Sequence, residues 1–197
     1  MAIKIILCLI FGYLFGSLNF AIIYSKLKGD DIRNHGSGNA GATNVLRTYG
    51  KGPAAIVFLL DILKGVIAVI IAKLLLDDAI YDCAVALGAV LGHNFPVYYN
   101  FKGGKGVATS FAVLIALHLP TALIALGVFV VVVAISKYIS LSSISASVGA
   151  IASSYIFFKI DAFSIFCTVI GLLCIYRHKS NIARLIAGNE NKLGQKK

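Results

Sequence analysis

Apolar and polar positions follow one another along this chain in long blocks. Seven apolar segments stand out, at about 3–25, 53–75, 80–98, 105–118, 121–137, 141–158 and 161–176. A membrane crossing needs roughly 20 residues at about 1.5 Å of rise each. Segment 105–118 is too short for that, and segment 141–158, "LSSISASVGAIASSYIFF", is rich in Ser and Gly. These two are expected to be tilted, broken or re-entrant, because irregular backbone at membrane depth is tolerated where protein or a polar cavity covers it. The opening stretch "MAIKIILCLIFGYLFGS" has the outline of a signal peptide. No A-x-A-like site follows, and the apolar run continues through "LNFAIIY", so it reads as a retained first span.

Composition supports the same class. Of 197 residues, 59% are hydrophobic and 13% charged. No soluble domain of this size buries that much apolar surface, whereas lipid solvates it. The net charge is +10, from 18 Lys and Arg against 8 Asp and Glu. On a soluble protein that balance would suggest nucleic acid, but here the cations lie in short loops. Loops 26–51, 99–105 and 137–141, with the C-terminal tail, carry fourteen of the 18. The other side has Asp77, Asp78 and Asp82 and the Lys159/Asp161 turn. The positive-inside rule then gives an outside N-terminus and a cytoplasmic C-terminus for seven spans. Five spans, with the two weak segments merely buried, keep the same ends. The expectation is an all-α, polytopic membrane helix bundle, a single domain over residues 1–197. Cys8, Cys83, Cys167 and Cys174 all lie in apolar runs without a C-x-x-C pair, so they read as small buried hydrophobes.

This topology gathers every motif-like polar stretch on one face. The stretch "RNHGSGNAGATNVLR", Arg33 to Arg47, contains no carboxylate. Its G-x-G-x-x-G spacing follows a membrane span rather than a strand, which excludes the dinucleotide-binding reading. "KGGKGVAT" has Gly106 where a P-loop needs Ser or Thr. The physics behind those motifs still applies, since glycines let backbone N–H groups converge on an anion. Gly38, Gly103 and Gly104 are candidates for this. Ser37, Asn39, Thr43 and Asn44 add neutral donors, Arg47 a bidentate fork and Lys105 a point charge. Two such loops and a basic tail on one face point to an anion site.

Asp61 and Lys64 stand at i, i+3 in the second segment and can pair on one helix face. Ionisable groups at that depth usually face a polar interior, so a supporting role beside the site is expected, with His93 at the end of the third segment. His35 and His118 read as structural. His178, Asn181 and Arg184 recur every three residues and share a face if helical, which makes His178 a candidate phosphate donor or base. Ser142 and Ser143 are placed to cap a helix whose N-terminus faces the site. No His, Cys and carboxylate cluster on this face suggests a metal.

Together these residues resemble the acyl-phosphate-dependent glycerol-3-phosphate acyltransferases, the PlsY family. The resemblance runs from "GSLNFAIIYSKLKGDDIRNHGSGNAGATNVLRTYG" and "DILKG" through "GHNFPVYYNFKGGKGVAT" and "SLSSI" to "NIARLIAGNE". It implies a bacterial cytoplasmic (inner) membrane enzyme with a cytoplasmic active site and no cofactor. Such an enzyme transfers a fatty acyl group from acyl phosphate to the 1-hydroxyl of sn-glycerol 3-phosphate, giving lysophosphatidate and inorganic phosphate. Its partners are then those two substrates and membrane lipid, with no nucleic acid. Ser37, Arg47, Lys105, His178 and Asn181 match family positions around the phosphate-binding active site, and Ser142 and Ser143 match the serine motif. Asn19 stands where a proline is common, and Lys179 where an arginine is common. A transporter of a phosphorylated metabolite would place motifs near the bilayer midplane within internal repeats, and no clear repeat is present. A purely structural membrane protein leaves the glycine loops unexplained.

Overall fold

Each of the seven apolar segments becomes helix. The computed structural model describes residues 1–76 and 78–194; Asp77, Lys196 and Lys197, which entered the loop charges, lie outside them. Among the described residues all regular structure is helical. The chain divides into two units, Met1–Leu117 and His118–Lys197.

The first unit holds α1 (Ala2–Gly16), α2 (Phe20–Leu27), α3 (Ala42–Tyr49), α4 (Lys51–Leu76), α5 (Ala79–Asn94) and α6 (Val107–Leu117). Helices α1 and α5 approach closely because both carry glycine at i, i+4. A Cβ on Gly12 or Gly16 would overlap the backbone of Val85 or Ala89, and one on Gly88 or Gly92 that of Leu9 or Tyr13. Such small-residue faces let helices associate where lipid offers no hydrophobic drive. The first segment breaks at residues 17–19 without a proline. Asn19 takes an extended backbone (φ −92°, ψ 103°) and its Oδ1 accepts from Ile22 N–H at 3.1 Å, restarting the chain as α2. Buried Ala21, Ile22, Ile32, Ala40, Val45, Ala54 and Val57 form a small core under the glycine loop. The loop is therefore anchored rather than draped.

The second unit holds α7 (Leu119–Ser136), α8 (Ile139–Phe158), α9 (Ala162–Arg177) and α10 (Lys179–Ile186). His118 caps α7, its Nδ1 lying 2.9 Å from Thr121 Oγ1, and its ring sits edge-on to Phe157, Phe158 and Phe163. Asp161 and Ser164 form a reciprocal capping box on α9. Lys137 and Lys159 turn the chain in left-handed conformations between helices.

Among the described residues, four helical stretches are long and apolar enough to cross a membrane: Ala2–Leu27, Lys51–Leu76, Leu119–Ser136 and Ile139–Phe158. Ala162–Arg177 with Lys179–Ile186, bent by 56°, makes up to five. The Ser-rich sixth segment is an unbroken helix of 20 residues. By contrast, α6 has only 11 residues, about 16 Å of rise against a core of about 30 Å. Leu59, Leu63, Leu74, Val131 and Ile135 expose their side chains, as lipid-facing positions do. The four cysteines are buried.

Candidate active site

The glycine loop closes on itself through Asn44. Its Oδ1 accepts from Ser37 N–H at 2.9 Å, and its Nδ2 donates to the carbonyls of Ile32 at 3.1 Å and His35 at 2.9 Å. Gly36 (φ 56°) and Gly38 (φ 69°) are left-handed, which reverses the chain over this buried amide. The N–H of Gly38 donates to His35 O at 2.9 Å, and that of Gly41 to Asn39 O at 3.0 Å. Ser37 and Arg47 are exposed, while Asn39 and Thr43 are half-buried.

Two carboxylates at the loop's entry are occupied. Arg33 grips Asp31 in a bidentate pair, Nη2 to Oδ2 at 2.6 Å, and its Nη1 donates to Tyr99 O at 2.9 Å, joining this loop to the next. Asp30 accepts from the Tyr49 hydroxyl at 2.6 Å and lies 2.8 Å from His35 Nε2. The Tyr49 hydroxyl, then His35, hold the Asp30 carboxyl down to about 2. The same bond pushes the Tyr49 phenol up to about 12. With these two acids engaged locally, Arg47 at the end of α3 keeps a positive field over the loop.

The second loop packs on His93. A Cβ on Gly103 would overlap His93 O, and one on Gly104 would overlap His93 Nε2 and come within 2.7 Å of Ala40 O. Gly104 N–H donates to His93 O at 3.0 Å. Half-buried Lys105 comes next, then left-handed Gly106 (φ 77°) and the start of α6. Beneath the loop, Lys64 Nζ lies 2.7 Å from Asp61 Oδ1, 2.8 Å from Leu18 O and 3.0 Å from His93 Nδ1, and all three side chains are buried.

In the second unit the bend between α9 and α10 falls at His178. This buried imidazole has Nδ1 2.8 Å from Cys174 O. A carbonyl can only accept, so Nδ1 carries a proton. Glu190 gathers polar side chains from α10 and the start of α8. Its Oε1 accepts from Asn181 Nδ2 at 2.6 Å and Ser140 Oγ at 2.8 Å, and its Oε2 from Arg184 Nε at 2.7 Å. Burial raises the Glu190 carboxyl, but the bonds from Asn181, Arg184 and Ser140 outweigh it and hold it below the ordinary carboxylate value. Leu193 N–H donates to Lys137 O at 2.7 Å and pins the segment that carries Glu190. Among the described residues no group of three His, Cys, Asp or Glu is placed to hold a metal.

The sequence pattern of the glycerol-3-phosphate acyltransferases matches residues 6–188. The chain belongs to the glycerol-3-phosphate acyltransferase family. A relative of that name from Thermoanaerobacter sp. (strain X514) is 48% identical over 192 residues, covering 97% of this chain and 96% of its own. Another, from Halalkalibacterium halodurans, is 46% identical over 200 residues, with 97% and 96% covered. Two crystal structures of PlsY (YgiH), an integral membrane glycerol 3-phosphate acyltransferase, share the fold. The glycerol 3-phosphate form superposes with TM-score 0.91 at 42% identity, covering 96% of each chain. The lysophosphatidic acid form gives 0.88 at 41% identity, covering 96% of this chain and 95% of the other.

In this acyltransferase the expected residues fall into two groups. Ser37, Gly38, Asn39, Thr43, Asn44, Arg47, Gly103, Gly104, Lys105, Asp61, Lys64 and His93 lie in the first unit, and Ser142, Ser143, His178, Asn181 and Arg184 in the second. The Asp61–Lys64 pair and the shared face of Asn181 and Arg184 are as expected. Three expectations need correction. Asn44 is not a donor for a ligand, because Ile32 and His35 take both of its N–H groups. Two glycine amides are spent within the protein, Gly38 on His35 O and Gly104 on His93 O, and at Gly104 no side chain fits. Ser142 and Ser143 do not cap α8, which starts earlier, after Tyr138. Their hydroxyls donate back to Tyr138 O at 2.7 Å and Ile139 O at 2.8 Å. Glu190 was missed. Its signal was its isolation, as the one carboxylate after Asp161 in a tail of six cations.

Proposed function

We propose that this chain transfers a fatty acyl group from acyl phosphate to the 1-hydroxyl of sn-glycerol 3-phosphate, the first acylation in phospholipid synthesis. The observation that carries the reading is the near-complete match to a relative solved in glycerol 3-phosphate and lysophosphatidic acid forms, one the acceptor and the other the product. The hydroxyl oxygen attacks the acyl carbonyl carbon, and a new ester C–O bond forms. The bond from that carbon to the phosphate oxygen breaks, and inorganic phosphate leaves with the electron pair. A phosphate oxygen takes the hydroxyl proton, its second pKa lying near ~6. An acyl phosphate is already activated, so no covalent nucleophile is needed.

Lys105 and Arg47 neutralise phosphate oxygens, with Ser37, Asn39 and Thr43 completing the loop's share. His178 and Asn181 orient glycerol 3-phosphate, and Arg184, Ser142 and Ser143 support the second cluster. No metal or cofactor takes part. The enzyme is one domain in the bacterial inner membrane, with seven membrane segments, an outside N-terminus and its chemistry facing the cytoplasm. Purified protein in detergent, given acyl phosphate and radiolabelled glycerol 3-phosphate, is expected to make lysophosphatidate. No product from protein shown to be folded would overturn the reading.

A further inference from the structure

We propose that Lys64 is a positioning residue that registers the two glycine loops against each other through His93 and the α1–α2 break. The proposal rests on the reading of Lys105 as a phosphate-binding group. An ammonium has three N–H donors and no acceptor. On Lys64 two are directed, to Leu18 O at the break and to His93 Nδ1 on α5, while Asp61 on its own helix lies 2.7 Å away as an ion-pair partner. Since Nδ1 must accept, the proton of the neutral imidazole is on Nε2. That nitrogen faces Gly104, where any side chain would overlap it.

Each contact continues into a loop. Leu18 precedes Asn19, whose Nδ2 donates to Ala40 O in the first glycine loop at 3.3 Å. His93 O takes the N–H of Gly104 in the second. Gly104 itself lies between the His93 ring and Ala40 O. The two loops therefore meet at Gly104, one residue before Lys105, and both bear on one buried ammonium. A buried ion pair adds little stability over apolar groups of the same size, and its better-attested use is to fix a register. Asp61 holds the Lys64 head group in place; Lys64 sets the imidazole tautomer and the seat of the loops.

The test separates positioning from folding. Lys64→Met alone leaves Asp61 buried with only His93 Nδ1, 3.5 Å away, beside it, and a loss of folding is the expected hazard. The double variant Asp61→Asn with Lys64→Met removes both charges together. It is expected to melt within a few degrees of the parent, yet to lose about tenfold or more in kcat, because a shift of about 1 Å at a charge-stabilising group costs that much or more. His93→Gln, which keeps a donor where Nε2–H lies, is expected to retain several-fold more turnover than His93→Leu at equal melting temperature. A double variant with parental melting and parental kcat would overturn the proposal, as would equal turnover of the two His93 variants. Lys105→Met is run alongside. If it too keeps its turnover, the phosphate-site reading fails; if it alone is inactive, only the positioning role fails.

Discussion

Removing the Asn44 side chain should loosen the first glycine loop while leaving the membrane helices in place. Asn44→Ala deletes three hydrogen bonds to loop backbone, at 2.9, 3.1 and 2.9 Å. Each contributes about 1 kcal/mol net, or about 3 kcal/mol in all. Ser37 and His35 are exposed, so water recovers part of this, and about 2 kcal/mol remains. If substrate binds only the ordered loop, that difference passes into apparent affinity, and KM for glycerol 3-phosphate rises on the order of thirtyfold. The assay is steady-state kinetics over a range of glycerol 3-phosphate, with trypsin cleavage at Arg33 and Arg47 as a readout of loop order. Exposed Asn34→Ala is the control and should change neither. A KM within about twofold of the parent, with trypsin cleavage unchanged, would refute the assignment of Asn44 as the loop's internal organiser.

Lys105→Met should lose roughly a hundredfold in turnover, about 3 kcal/mol of transition-state charge stabilisation, with its melting curve preserved; exposed Lys102→Met should weaken apparent affinity more than turnover. Near-normal kinetics in Lys105→Met would misplace the phosphate site. Chelation by EDTA should leave activity nearly intact, and a loss restored by Mg²⁺ would count against charge neutralisation by side chains alone. The Asp30 carboxyl is held down to about 2 from an ordinary 3.8. Its contribution is thus present above about pH 4 and lost as pH falls toward about 2. Asp30→Asn should flatten the acid side of the melting-temperature profile over that window, and parallel profiles would sink the assignment.

Much of the fold was legible because apolar length is a direct physical demand of a bilayer. Every marked segment became helix, and the break after α1 survived a missing proline because Asn19 supplies a cap of its own. Span number was less legible, because apolar character does not say how far a helix extends. The fourth segment stops at 11 residues, whereas the Ser-rich sixth runs unbroken for 20. Candidate residues were found by type, and type does not reveal which polar groups serve the protein itself. Asn44 and the Gly104 amide turned inward because loop backbone at the end of a membrane helix needs its own partners. Glu190 escaped notice because its three donors come from Ser140, Asn181 and Arg184, up to 50 residues away in sequence.

The mechanism stands on acyl phosphate as the donor and on cleavage of its acyl carbon–oxygen bond. Acyl phosphate labelled with radioactive phosphorus tests both at once, mixed with unlabelled glycerol 3-phosphate and the purified enzyme, with acyl-CoA as the competing donor in a parallel reaction. Labelled inorganic phosphate is expected in equal amount with lysophosphatidate, the lysophosphatidate should carry no label, and acyl-CoA should give far less product. Label in the lysophosphatidate, product without matching phosphate release, or comparable turnover with acyl-CoA would contradict that mechanism.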